Sequence, residues 1–237
     1  MIIRQIRHTT FLMDYAGSRF LIDPFFGGED SVDPAFSWAQ ILNVDAIIVT
    51  ELKGRRFVEK ARELIPKKAQ IFVPHQEDQK ELDRQGFFHL EVLCEDSRFQ
   101  YLDVKRTPAF TETSGKIQQE ERSCGVLISH PVLNSVYFTG STVWSPEIRE
   151  TIRVYKPRTI IVNTGAECPK EHGRHLMTHE EISSVHLAMP KAKIIAAQSG
   201  CGKEETFEPA TLRQYLTEHH MEDKVLIPEE GKEYLYV

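Results

Sequence analysis

The sequence predicts a mixed α/β fold: short apolar runs of strand length alternate with segments of helical spacing, the strands fall into two clusters, and helices occur in both halves. No repeat or low-complexity tract interrupts the alternation. At 237 residues, with 41% hydrophobic and 27% charged side chains, the chain can bury a substantial core and fits one domain over residues 1–237.

Taken in order, the strand candidates of the first cluster are Ile2 to Ile6, Phe11 to Tyr15, Arg19 to Ile22, Ala46 to Val49, Ile71 to Val73 and Glu91 to Cys94. The second cluster comprises Tyr101 to Lys105, Gly125 to Ser129, Ser135 to Thr139, Thr159 to Val162 and Lys193 to Ala196, with a final pair near Val225 to Ile227 and Tyr234 to Tyr236. Helices are expected at Arg56 to Ile65, Glu77 to Gln85, Pro146 to Val154, His179 to Met189 and Pro209 to His219, where apolar residues recur three and four apart. Thr178 and Glu181 have the spacing of an N-terminal capping box. The stretch from Gly27 to Trp38, rich in acidic and turn residues, reads as a surface loop.

Charge and composition exclude several classes. A net charge of -6 argues against a general nucleic-acid surface, which clustered excess Lys and Arg would announce. The opening MIIRQIRHTTF has neither a long apolar core nor a small-residue cleavage site, and no later run approaches the roughly 20 apolar residues of a membrane span. Cys94, Cys124, Cys168 and Cys201 lack paired spacing, which suits reduced thiols and a cytoplasmic protein.

The segment most informative about function is VDAIIVTELKGRRF, Val44 to Phe57. A short buried strand, Asp45 to Thr50, runs into a loop carrying Glu51, Lys53, Arg55 and Arg56, and a helix follows from Phe57. This junction resembles the metallo-β-lactamase superfamily, in which the same strand ends in Thr-His-x-His-x-Asp-His and grips two metal ions. The opening strands through Phe20-Leu-Ile-Asp-Pro24 resemble its L-ascorbate-6-phosphate lactonase-like branch, as does Val136-Tyr-Phe-Thr-Gly140-Ser141-Thr-Val-Trp144. Lys156 to Gly165, Met177-Thr178 and Pro190 to Gln198 follow in the same order, so the resemblance covers nearly the whole chain. It implies a four-layer αββα sandwich and a metal-dependent hydrolase ancestry.

Carried over position by position, the resemblance puts the family's metal ligands on Glu51, Lys53, Arg55, Arg56, Thr111, Ser141 and Gln198. Zinc takes thiolate, imidazole or carboxylate ligands, and hydroxyl, amide and cationic side chains do not replace them. The resemblance therefore implies a metal-free pseudoenzyme with no cofactor and no catalytic residue. Two divalent ions and their anionic ligands leave the family site mildly positive. Here Lys53, Arg55 and Arg56 bring three positive charges against one from Glu51, so the sign is kept. If these side chains point inward, they and the neutral Thr111, Ser141 and Gln198 suit an anionic small molecule. The plainer alternative places the basic heads in water or in an ion pair with Glu51.

Other residues invite weaker readings. Cys168, His172, His175 and His179 gather possible zinc ligands, but their spacing is irregular and matches no known finger. His8 matches a histidine typical of the branch and suits a structural hydrogen bond. His219 and His220 sit at a helix end, where positive charge is favoured. Three functions follow: an anion- or partner-binding pseudoenzyme, an interaction, immunity-type or structural subunit displaying the sandwich surface, or a residual lactonase- or phosphoesterase-like hydrolase with a relocated site. Homo-oligomerisation is implied by the resemblance alone.

Overall fold

The computed structural model describes residues 1–25, 38–52, 59–165, 173–198 and 209–236. In chain order the elements are β1 (Ile2–Arg7), β2 (Thr10–Tyr15), β3 (Ser18–Ile22), α1 (Trp38–Ile41), β4 (Ala46–Ile48), α2 (Glu59–Leu64), β5 (Gln70–Val73), α3 (Gln76–Arg84) and β6 (His89–Val92). They continue as β7 (Arg98–Phe99), β8 (Leu102–Thr107), β9 (Phe110–Thr113), β10 (Lys116–Gln119), β11 (Gly125–Ser129), β12 (Val136–Phe138), α4 (Pro146–Tyr155) and β13 (Thr159–Thr164). The last are α5 (His179–Ala188), β14 (Lys193–Gln198), α6 (Pro209–Glu218), β15 (Val225–Leu226) and β16 (Glu233–Leu235). The chain groups into two compact units, Met1–Cys94 with Glu229–Val237, and Glu95–Pro228.

The first unit is a seven-stranded sheet in the order β16-β1-β2-β3-β4-β5-β6. Ala16 and Gly17 both take positive φ, 52° and 83°, the geometry of a two-residue hairpin turn, and so join β2 to β3. From β3 to β6 the pairing is parallel, with helices in the crossovers. Parallel strands are covered on both faces, and every residue of β4 is buried. Leu21, Ile47, Val49, Ile71 and Val73 form a core with Leu82 of α3, each burial stabilising the fold by about 1.5–3 kcal/mol.

The second unit has a seven-stranded sheet in the order β15-β14-β13-β12-β11-β8-β7 and a separate hairpin of β9 and β10. β12 to β15 pair in parallel, so their carboxyl ends share one edge. Tyr137, Ile160, Val162 and Ile194 from the strands pack with Ile148, Ile182, Val185 and Leu212 from the helices. Ser145 caps α4 by accepting the Ile148 N–H at 3.3 Å, with Pro146 at the first helical position. Thr178 and Glu181 form the expected capping box on α5.

The predicted strands and helices with described residues are all present, most with ends shifted by one or two residues. Four elements were not foreseen: α1, β7, β9 and β10. Trp38 opens α1 rather than closing a loop, and residues 27–37 of that loop lie outside the described residues. The last strand spans Glu233–Leu235, and Tyr236 continues its pairing by exchanging backbone hydrogen bonds with Met1 at 2.8 Å. Among the described residues, no helix is long and apolar enough to cross a membrane.

Candidate functional site

In parallel sheets, ligands gather outside the carboxyl ends of the strands. In the first unit these ends carry Asp23 after β3, Thr50 and Glu51 after β4, and His75 after β5. Asp23 takes a φ of 45° and is buried. Its carboxylate accepts the Thr50 N–H at 2.6 Å and the Thr50 hydroxyl at 2.7 Å. Its own N–H donates to the Ile48 carbonyl at 2.9 Å, and its carbonyl accepts the Thr10 hydroxyl at 2.7 Å. Charge-assisted bonds to a buried carboxylate are strong, and they lock the end of β3 to the start of the loop bearing Glu51.

Glu51 is half-buried at the end of that clamp. Lys53, Arg55 and Arg56 lie outside the described residues. Near Glu51 stands Asp78, in the first turn of α3, only 4% exposed and with an Oδ2 that has no hydrogen-bond partner among the described residues. Burial pushes its carboxyl up to about 6, Glu77 and Glu51 add to the rise, and His75 opposes it. Sequence reading missed both Asp23 and Asp78. Asp23 had a signal in the Asp-Pro step that ends β3, whereas Asp78 sits in a polar helix that reads as solvated.

In the second unit, the end of β12 continues as Thr139-Gly140-Ser141-Thr142. Gly140 has φ 69°, and a Cβ there would lie 2.1 Å from the Cys124 carbonyl oxygen, so only glycine lets the two backbones approach. Ser141 follows at 2% exposure, its carbonyl facing the Ser123 hydroxyl at 3.5 Å. The Thr142 hydroxyl accepts the Phe110 N–H at 2.9 Å, and the Val143 N–H donates to the Phe110 carbonyl at 2.9 Å, fastening β9 to this turn. Thr111 is the second residue of β9, 7% exposed and opposite Gln118. Gln198 ends β14 in parallel register with Thr164. Thr111 and Ser141 are thus both buried hydroxyl residues of the second unit.

Arg174 carries two ion pairs in the second unit, to Glu112 and Glu181. It exchanges backbone hydrogen bonds with Glu112, both at 2.8 Å, while its guanidinium donates to the carboxylates of Glu112 and Glu181. These carboxylates hold its pKa above the ordinary arginine value. One cation therefore ties β9 to the capped start of α5. Gly173 precedes it with φ 75°, and a Cβ there would meet the Thr113 hydroxyl at 2.4 Å.

Of the cysteine and histidine candidates, Cys168 and His172 lie outside the described residues. His175 is half-buried, and His179 opens α5 with its ring tilted against Tyr215 at 5.4 Å and its pKa lowered by burial. Among the described residues, no group of three or more His, Cys, Asp or Glu side chains is placed to hold a metal ion. His8 occupies a turn with φ 48°, its ring edge-on to Phe25 at 5.2 Å and its carbonyl accepting the Gln5 amide.

Comparison with known proteins defines the class. The fold matches an isothiocyanate hydrolase from Delia radicum gut bacteria with a TM-score of 0.89 and 25% identity, over 100% of this chain and 99% of that one. It also matches a "possible metal-dependent hydrolase" from Veillonella parvula DSM 2008 with a TM-score of 0.88 and 23% identity, over 99% and 98% of the two chains. The chain has the metallo-β-lactamase fold, and its structural neighbours include hydrolases described as metal-dependent. No family model matches the sequence. The UPF0173 protein YddR of Bacillus subtilis (strain 168) is 30% identical over 254 residues, covering 100% of both chains, and this chain belongs to the UPF0173 family.

Proposed function

We propose that this chain is a catalytically inactive relative of the lactonase-like metallo-hydrolases, and that it binds an anionic small molecule through the residues at its vacated metal-ligand positions. The observation that carries the reading is the chemistry at Ser141. The resemblance puts a metal-bridging aspartate there, and the chain has a buried serine instead. Thr111 repeats the pattern as a buried hydroxyl in a strand. Such a donor set does not fit a dinuclear metal centre, and no hydrolytic step is derived through one.

Positive charge supplies the attraction instead. By sequence, Lys53, Arg55 and Arg56 of the first unit offer charge-assisted contacts suited to phosphate or carboxylate groups. Calorimetric titration with inorganic phosphate and a sugar phosphate tests this. The expected result is binding that weakens with salt and is lost in the Lys53→Met, Arg55→Leu double variant with its fold intact. No binding by the native protein, or unchanged affinity in the variant, would reject the pocket and favour a partner-binding surface.

A second reading rests on the 25% identity to an isothiocyanate hydrolase over the whole chain. In that reading the chain is a hydrolase with a relocated site. Turnover of an isothiocyanate or a lactone by the purified protein, abolished by chelator, would establish it in place of the first.

A further inference from the structure

On the first unit's sheet, β16, β1, β2 and β3 border an open cavity of about 560 Å³, within the usual range of small-molecule sites. Ile2 and Leu12 give it an apolar lining, Ala39 and Gln40 of α1 and the following Asn43 close one side, and four charges of alternating sign complete it. Arg4 pairs with Glu233, and Arg19 makes a two-pronged contact with Asp14 at 2.6 and 2.9 Å. Exposed cross-strand ion pairs stabilise a sheet by at most about 1 kcal/mol each. Their unused groups are more informative.

Asp14 engages Nε and Nη2 of Arg19, leaving Nη1 without a partner among the described residues. Arg4 engages Oε1 of Glu233, leaving Oε2 likewise available on a side chain 56% exposed. One unspent cationic donor and one unspent anionic acceptor thus stand at opposite sides of an apolar-lined cavity. A simple anion or a simple cation would satisfy one and be repelled by the other charge beside it. A zwitterion satisfies both.

The strand order sets its length. Glu233 on β16 and Arg19 on β3 are three strand spacings apart, roughly 14 Å at the backbone. Each side chain leans inward, Glu233 to Arg4 on β1 and Arg19 to Asp14 on β2, which leaves about one to two spacings, roughly 5–10 Å, between the free groups. An α-amino acid is too short for that gap, whereas two or three residues of extended chain span about 7–10 Å. We propose that this cavity is a binding site for a short peptide with free ends, its ammonium on Glu233 and its carboxylate on Arg19, with the Asn43 amide placed to hydrogen-bond its backbone.

Titration of the full chain with tri-alanine, N-acetyl-tri-alanine, tri-alanine amide and glycine tests the site. Tri-alanine should bind, and each blocked peptide should bind about tenfold more weakly or worse, since each loses one charge-assisted contact. Glu233→Gln should remove the preference for a free amino end while keeping that for a free carboxylate, and Arg19→Met should do the reverse. Glu233 is exposed, so Glu233→Gln remains a sound test should Arg19→Met fail to fold. No binding of tri-alanine, equal binding of the blocked peptides, or glycine binding as well as tri-alanine would each overturn the proposal. Inorganic phosphate as a competitor separates this site from the anion site: displacement of the peptide by phosphate would also overturn it.

Discussion

At the first turn of α3, Asp78 combines burial with a carboxylate oxygen that has no partner among the described residues, which makes its charged form costly. Its folded-state pKa of about 6 exceeds the ordinary aspartate value near 3.9, so the folded protein holds this proton more tightly than the unfolded chain does. The resulting stabilisation is complete below the unfolded value and is lost as pH rises through about 6. Asp78→Asn should therefore raise the melting temperature at pH 7.5 and leave it nearly unchanged at pH 4. A gain on the order of 1 kcal/mol corresponds to about 2–4 °C for a chain of this size. Equal shifts at the two pH values would contradict this account. Asp78 also shows what a sequence hides: nothing in Gln76-Glu77-Asp78-Gln79 separates the buried acid from its solvated neighbours. Gly140 and Ser141 were legible in outline through the resemblance at the end of β12, whereas Asp23 left only the Asp-Pro step as a signal. The partners that fix them, Thr50 and the Cys124 carbonyl, come from distant sequence.

At the scale of elements, apolar periodicity located the buried strands and helices and passed over the β9–β10 hairpin. Residues of β10 are all exposed, so no alternation marks them, and only Ser114-Gly115, both at positive φ, betrays the turn. That hairpin matters because β9 carries Thr111 and is held to α5 by Arg174. The capping box of α5 was readable from Thr178 and Glu181, but the second task of Glu181, sharing Arg174 with Glu112, depends on a carboxylate brought from β9. Arg174→Met would leave Glu112 and Glu181 as neighbouring, poorly solvated carboxylates with no cation. Its cost should be about 1.5–3 kcal/mol in urea unfolding, the usual worth of hydrogen bonds to a charged group. Adding Glu112→Gln should recover part of the loss, since the repulsion is then removed. A loss below about 0.5 kcal/mol, the range of ordinary surface substitutions, would show that the tie is not structural.

For the whole molecule, fold and inherited chemistry separate cleanly. The order of motifs along 237 residues carried the fold, and the match to metallo-hydrolases over essentially the full chain agrees with it. The fate of the metal site belongs to side chains that a fold comparison does not test, so it is decided by measurement. A metal bound only by the folded state stabilises it by about 4 kcal/mol when present at a thousandfold its dissociation constant. For a chain of this size that amounts to about 8–16 °C in melting temperature. If the chain is metal-free, its strand ends are held by protein groups alone, as Asp23 and Thr50 do in the first unit and Arg174 does in the second. Protein purified without chelator should then contain no stoichiometric zinc, manganese or iron, and dialysis against EDTA should move its melting temperature by no more than about a degree. Restoring zinc or manganese should give no gain. Two metal equivalents per chain, with a melting temperature that falls by several degrees on chelation and recovers on metal addition, would place a working metal centre in this fold. The stabilising role argued for the clamps would then pass to the metal.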